Sequence, residues 1–453
     1  MTMPAATVTA RARGRARSRR SGGAARLRLT RSLALKARAE RVIPGCSQTF
    51  SKGPTQFVQG ASPVFLSRGR GCHVWDVDGN EYIDYPMALG AVILGHAHPA
   101  VTRAVRRQLH AGTVFSLPHP LEIEVAERII AHVPCAEMVR FAKNGSDATT
   151  GAVRLARAVT GRSIVACCGY HGWNDWYIGT TSRRAGVPPE VQALTVPFVY
   201  NNLNSLEAVF DAHPDKVAAV IMEPVGVESP HPGFLEGVRA LTARHGALLI
   251  FDEVVTGFRL GLGGAQARFG VTPDLACLGK ALANGYPLAA LVGRARFMRR
   301  LEEVFFSFTF GGEALSLAAA AATIDALRRP GVLDGIWRRG ARLQEGYNRL
   351  AREAGLERLT TCIGLPPRTA VTFRDAEGRE SLLMKSVFQQ EVIRRNVLFN
   401  GVHLVSAAHT DTDIARTLRV YREAMIVLAR ALAEHRLESI LAGPPVEPVF
   451  RPL

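Results

Sequence analysis

The sequence has few cysteines and no arrangement of them that suggests a staple. The seven (Cys46, Cys72, Cys135, Cys167, Cys168, Cys277 and Cys362) are odd in number and include no CxxC pair. That argues against a disulfide framework or a zinc site, so no metal is expected, and it fits a reducing cytoplasm. No apolar run reaches the roughly 18–20 residues of a membrane span. Residues 1–39 lack Asp and Glu altogether while holding eleven Lys/Arg, so the net charge of +17 falls to +6 over residues 40–453. The charge is a local feature and does not make nucleic acid the main expected partner. The stretch "RARGRARSRRSGGAARLR" has no apolar periodicity and is expected to be disordered. It also lacks the apolar core of a secretory signal. It reads as a solvated tail, as a nucleic-acid or membrane-surface arm, or as an organelle-targeting leader.

What is present is an ordinary globular composition, 47% hydrophobic and 21% charged, on a chain of 453 residues. That length suggests a large domain with a smaller one. In "VFLSRGRGCHVWDVDGNEYIDY" two alternating segments flank Asp78-Gly79-Asn80, a hairpin signal. Further on, short apolar runs alternate with helical patterns: "MVRFAKN", "SIVACCG", "VAAVIMEP", "GALLIFDE", "LACLGK" and "AALVG". Uninterrupted apolar strands between helices predict an α/β fold with a mainly parallel sheet covered on both faces. "EALSLAAAAATIDALRR" predicts a helix, broken at Pro330-Gly331. The expected organisation is a tail over residues 1–35, an N-terminal segment with the hairpin over 36–95, a large domain over 96–330 and a small α+β domain over 331–453.

In an open parallel sheet, ligands bind beyond the carboxyl ends of the strands. One strand ends in Asp252 and Glu253, another in Glu223. Each acid reads equally as a loop or capping residue. After "MVRFAKN", Gly145 and Ser146 open a helix whose N-terminus favours an anion, although Ser146 also reads as a simple N-cap. "SIVACCGYHGWNDW" leads into a loop carrying Tyr170, His171 and Trp173, which could equally close the core. Lys280 stands alone among small and apolar residues. It reads as a lysine whose stem is buried and whose head reaches water, or as a desolvated amine that attacks a carbonyl. Taken together, a phosphate cradle, a strand-end carboxylate, a loop aromatic and a buried lysine are what pyridoxal 5'-phosphate requires.

The chain resembles the class III (subgroup II) aminotransferases of pyridoxal-phosphate fold type I, the aspartate aminotransferase-like fold. Within them it is most similar to the glutamate-1-semialdehyde aminomutase-like branch. The matching text spans roughly residues 40–430: "RVIPG", "GCHVWDVDGNEYIDY", "LGHAHP", "GYHGWND", "MEPV", "FDEVVTGFR", "LGKALANGYPLAALVGR", "TFGGEALSLAAA" and "SAAHTDTDI". The resemblance implies a seven-stranded sheet in the large domain. It implies Lys280 as the Schiff-base lysine that also moves the substrate proton, and Asp252 as partner of the pyridine nitrogen. Val254 and Tyr170 would lie on the two ring faces, and Gly145 and Ser146 on the phosphate loop. Thr309 would reach the phosphate of a neighbouring subunit, which makes the expected partner a second copy of the chain. Glu223 would line the site.

Departures from the branch concern the substrate. The aminomutase's N-terminal arginine is replaced near Lys52, its gating glutamate is absent from the shorter "VLFNGVHLVSAAHT", and Cys46 stands where glycine is usual. "SQTFSKGPTQF" is similar to branch members acting on sugars, in nucleotide-sugar, polysaccharide or aminoglycoside antibiotic pathways. The expectation is transamination between a small amino donor and a sugar-like carbonyl acceptor, with Cys46, Lys52 and His403 at the substrate. The alternative is an epimerase or aminomutase, in which the Cys46 thiol serves the face that Lys280 does not.

Overall fold

The computed structural model describes residues 27–450. Its centre is a seven-stranded sheet in the order Met138–Ala142, Ala289–Gly293, Leu275–Leu278, Leu248–Glu253, Val217–Met222, Ile164–Cys168, Thr195–Pro197. Ala289–Gly293 runs antiparallel to both neighbours; the other strands point one way. Val217–Met222 and Leu248–Glu253 are buried at every position, as strands covered on both faces must be. The edge strand Thr195–Pro197 is too short to stand out as an apolar run.

Because six strands point the same way, their carboxyl ends share one rim. Helix Gly145–Thr160 leaves that rim directly after Met138–Ala142 and buries Ala148, Ala152, Val153, Leu155 and Ala156 beneath the sheet. Helix Ala314–Leu327 is buried nearly all round, which its run of alanines allows.

The hairpin forms as its turn residues predict, with His73–Asp76 paired to Glu81–Asp84 and Gly79 at φ +89°. Residues Val397–Leu398 add to it in parallel, so the N-terminal segment shares a sheet with the C-terminal third of the chain. Strands Thr360–Leu365, Arg368–Phe373 and Val402–Leu404 form a separate antiparallel sheet. Beside it lie helices Val332–Glu353, Leu382–Arg394 and Asp411–Ala433.

The Arg-rich stretch up to residue 26 lies outside the described residues. From Thr30 the chain is helical through Val42, ahead of the expected tail boundary at residue 35. The cause is a distant cap. The Asp78 carboxylate accepts hydrogen bonds from the Arg31 and Ser32 N–H groups (2.9 and 2.8 Å), which satisfies donors that a helix start leaves open. No local pattern in residues 30–35 carries that signal. Among the described residues, no helix is long and apolar enough to cross a membrane.

Candidate active site

The strand ends deliver the polar residues to the rim. Asp252 is buried, and its Oδ2 lies 2.8 Å from His171 Nδ1. The Val254 N–H donates to its Oδ1 at 3.1 Å. The other ring nitrogen of His171 lies 3.1 Å from the Cys168 carbonyl, and Thr149 Oγ1 donates to the His171 carbonyl at 2.8 Å. The imidazole is therefore fixed between the end of one strand and helix Gly145–Thr160, and it fixes Asp252 in turn. Sequence reasoning left His171 open between the site and core filling and gave it no role; its adjacency to Tyr170 in a strand-end loop was the available signal.

The neighbouring acid does different work. Glu253 is fully buried and accepts from Thr256 Oγ1, Ala265 N, Gln266 N and Gln266 Nε2. It ties down the start of helix Gly264–Phe269. Burial pushes its carboxyl up from the usual range, and these donors oppose the shift.

Glu223 accepts from the Tyr170 N–H (3.0 Å) and lies 3.5 Å from Arg368 Nη1. Arg368 also donates to the carbonyls of Val225 and Gly226 (3.0 and 3.1 Å). Neither Arg368 nor Arg259 was expected at the site. The guanidinium of Arg259 is fully buried and donates to the carbonyls of Gly90, Pro367 and Val405. Burial lowers its pKa to about 10.

Lys280 follows strand Leu275–Leu278 and has φ +44°, a conformation that a non-glycine residue holds only when its surroundings impose it. Burial lowers its ammonium pKa. Glu223 and Asp252 oppose the shift, and Arg368 and Arg259 add to it. The net direction favours the free amine that carbonyl chemistry needs.

Three residues shape a cradle. A Cβ on Gly145 would come within 2.9 Å of Val254 Cγ1, and one on Gly279 within 3.3 Å of the same atom. Gly172 has φ +112°, and a Cβ there would collide with Ser146. Ser146 Oγ accepts from the Trp173 N–H at 3.3 Å. With no side chains at Gly145 and Gly279, Val254 packs directly against the start of helix Gly145–Thr160 and against the residue before Lys280. A flat, phosphorylated aldehyde fits this set: an amine for its carbonyl, a carboxylate for its ring nitrogen, and a helix N-terminus for its phosphate.

The substrate residues from the sequence are not brought to one place. Cys46 and Lys52 line a cavity of about 360 Å³ together with Phe57, Val64, Phe65 and Leu89. Ala88 and Leu89 also line it, and with Met87 before them they form three successive non-glycine residues at positive φ. Asp84 accepts from the Met87 N–H (3.0 Å) and faces His96 Nε2 at 2.9 Å. His403 lies elsewhere. It is wholly buried, with Nδ1 2.8 Å from Thr369 Oγ1 and Nε2 2.7 Å from Tyr421 OH. Both ring nitrogens are engaged between strand Arg368–Phe373 and helix Asp411–Ala433, which leaves neither for a substrate. Thr309 is exposed, on a segment with exposed Phe305, Phe308 and Phe310.

Cys72, His73 and Asp413 also come close together. Asp413 accepts from Thr410 N and Oγ1 at the start of helix Asp411–Ala433. Burial and this carboxylate hold the Cys72 thiol protonated. The cluster serves as a helix cap.

Comparison with known proteins agrees with this geometry. Residues 57–365 match the family model described as aminotransferase class-III. The 3-aminobutyryl-CoA aminotransferase of Cloacimonas acidaminovorans is 38% identical over 419 residues, covering 90% of this chain and 100% of that protein. The glutamate-1-semialdehyde 2,1-aminomutase of Desulfitobacterium hafniense (strain DSM 10664 / DCB-2) is 38% identical over 426 residues, covering 87% and 98%. The structure of the FumI protein of Sphingopyxis sp. MTA144 with PLP superposes with a TM-score of 0.83 at 30% identity, covering 91% of this chain and 100% of that one. The chain belongs to the class-III aminotransferases, and it is a pyridoxal-phosphate enzyme of fold type I.

Proposed function

We propose that the protein is an aminotransferase for a β-amino acid or its acyl derivative, taking amino donor and carbonyl acceptor in turn at one site. The observation that carries this reading is the cavity at Cys46. Its walls are mainly apolar, with Lys52 as the lone lysine or arginine among them. An apolar acyl chain suits the stretch formed by Phe57, Val64, Phe65 and Leu89, with its anionic group toward Lys52, while Ser47, Ser51, Asp84, His96 and Asn400 give the same cavity polar partners. The sugar-type substrate expected from "SQTFSKGPTQF" is the weaker candidate because the apolar part of the lining is the larger. The 38% identical relative named for 3-aminobutyryl-CoA points the same way.

Bound pyridoxal phosphate supplies an aldehyde for the incoming amine and a ring that accepts the electrons released when the substrate C–H bond breaks. The residues around it divide the remaining work. Lys280 would hold the cofactor's aldehyde carbon and move a proton at its amine. Asp252, held by His171, would pair with the ring nitrogen. Tyr170, whose N–H is bound by Glu223, would lie on one ring face and Val254 on the other. Gly145 and Ser146 would hold the phosphate. A second copy of the chain covers the exposed Val114, Phe115, Leu117, Phe305 and Phe308 and brings its Thr309 to that phosphate. Light scattering giving a monomer at micromolar concentration would remove the shared-site reading.

The test is a half-reaction screen without acceptor. Loss of the visible cofactor absorbance is followed with 3-aminobutyrate, 3-aminobutyryl-CoA, glutamate and an amino sugar. Reaction with the amino sugar alone would overturn the proposed substrate class. A second reading, an aminomutase or epimerase, draws on Cys46 lining the cavity at φ +58°. It predicts deuterium wash-in at the amine-bearing carbon with no keto product, and a larger effect of Cys46→Ala on isomerisation than on the half-reaction.

A further inference from the structure

After helix Asp411–Ala433 the C-terminal segment runs past residues 55–59, and its last described residue, Phe450, lies beside Tyr170. Hydrogen bonds at four of its residues fix its course. The Ala442 N–H donates to Gln390 Oε1 (2.8 Å), and the Val446 N–H to Ser386 Oγ (2.9 Å). Val446 is buried with Val58 and Ala61. The Glu447 N–H donates to the Thr55 carbonyl (2.9 Å), and Gln56 Nε2 to the Glu447 carbonyl (2.9 Å). A Cβ on Gly443 would come within 2.5 Å of the Gln59 carbonyl, so the segment lies flush against residues that flank the Cys46 cavity. Its last described turn reaches the large domain. Arg183 Nε donates to the Val449 carbonyl at 2.6 Å, and its guanidinium lies 4.0 Å over the Phe50 ring. The Phe450 ring then sits 5.9 Å from that of Tyr170, tilted by 44°.

Arg183 therefore joins three separate stretches of chain at one point: the N-terminal segment through Phe50, the C-terminal segment through Val449, and the loop that follows Tyr170. Arg183 and Phe50 are themselves exposed, so the junction lies at the surface. Half of the Tyr170 surface remains exposed, and Phe450 borders that exposed half.

We propose that residues 446–450, pinned by Arg183, form a fixed wall of the substrate entrance, and that Phe450 limits the size of the group admitted next to Tyr170. This rests on the reading that Tyr170 lies against the cofactor ring. The wall acts by exclusion: a bulky substituent on the incoming amine meets the Phe450 ring before its nitrogen reaches the lysine-bound carbonyl carbon. Small amines pass. Arg183 is a positioning residue, acting through the Val449 carbonyl.

The experiment uses the holoenzyme and two probes that attack the same carbonyl carbon and release the Lys280 amine, hydroxylamine and O-benzylhydroxylamine. The rate of loss of the visible absorbance is read for each. In Phe450→Ala the rate ratio of the bulky to the small probe is expected to rise by about fivefold or more, the order of discrimination that a steric wall provides. Arg183→Gln, which removes the anchor and keeps the residue polar, should move the ratio in the same direction. A chain ending at Val446 should move it at least as far as Phe450→Ala. Equal acceleration of both probes, or an unchanged ratio in Phe450→Ala, overturns the wall. An enzyme whose absorbance hydroxylamine does not remove defeats the cofactor reading instead, and the two failures are thereby separate.

Discussion

Val254 fills the space that a side chain at Gly145 would need: a Cβ on Gly145 would lie 2.9 Å from Val254 Cγ1. The residue proposed to cover one ring face and the residue that opens helix Gly145–Thr160 thus pack directly against each other. Gly145→Ala should weaken cofactor retention by about 1–3 kcal/mol through overpacking, read as the dissociation constant of pyridoxal phosphate by equilibrium dialysis. Val254→Ala in the same chain should recover part of that loss. Additive effects of the two substitutions would show that the contact does not matter.

Lys280→Ala should abolish the visible absorbance of the lysine-bound cofactor and lower turnover by about 10⁴-fold or more, as removal of a nucleophile does elsewhere. The fold should be unaffected, since the amine takes part in no cap or core contact described above. A retained visible band in the purified variant would remove Lys280 from its assigned place.

His171→Leu leaves the Asp252 carboxylate buried with the Val254 N–H as its remaining donor. A buried acceptor deprived of its partner costs about 1–3 kcal/mol. The expected result is a rise of about 10-fold or more in the cofactor dissociation constant, with His171→Asn, which can still donate, losing less. Equal losses in the two variants would make His171 a packing residue only.

The buried histidines set a pH dependence of stability. Burial lowers the pKa of His403 to about 3 and of His409 to about 4, whereas an unfolded histidine titrates near 6.5. Between those values the unfolded chain binds more protons than the folded one. Stability is therefore full above about pH 6.5 and is lost on acidification, at up to about 1.4 kcal/mol per pH unit for each histidine. Urea midpoints should fall between pH 7 and pH 5. His403→Gln, though less stable at pH 7, should show a shallower fall, and an unchanged slope would contradict this account.

Cys46 occupies a left-handed conformation, φ +58°, that glycine adopts without strain. Cys46→Gly should therefore change the thermal midpoint little or raise it, by the equivalent of about 1 kcal/mol at most. If turnover of the true substrate also survives, the thiol carries no proton in the reaction.

Much of the site was legible because buried parallel strands are written as plain apolar runs. The first polar residue after each run then marks the ligand rim, and Asp252, Glu223 and Lys280 stand out in this way. The same logic could not separate Asp252 from Glu253, since that choice depends on which face of the strand end meets helix Gly264–Phe269. His403 misled for a related reason. In a strand, one residue of register decides between core and cavity, and Thr369↔His403 pairing points it inward. The helix from Thr30, the role of Arg259 and the approach of Phe450 to Tyr170 all rest on partners far away in the chain. Local patterns hold no trace of such contacts.

The parallel pairing of Ile83 with Val397 has a consequence for synthesis. The hairpin strand leaves the ribosome roughly 300 residues before the strand that covers its open edge. At about 5–20 residues per second, that edge waits on the order of 15–60 seconds for its partner. An unpaired edge is a template for association with other chains, so the newborn protein is most exposed to wrong pairing in that interval. Expression at lower temperature, or with chaperones that hold nascent chains, should favour soluble protein for this reason.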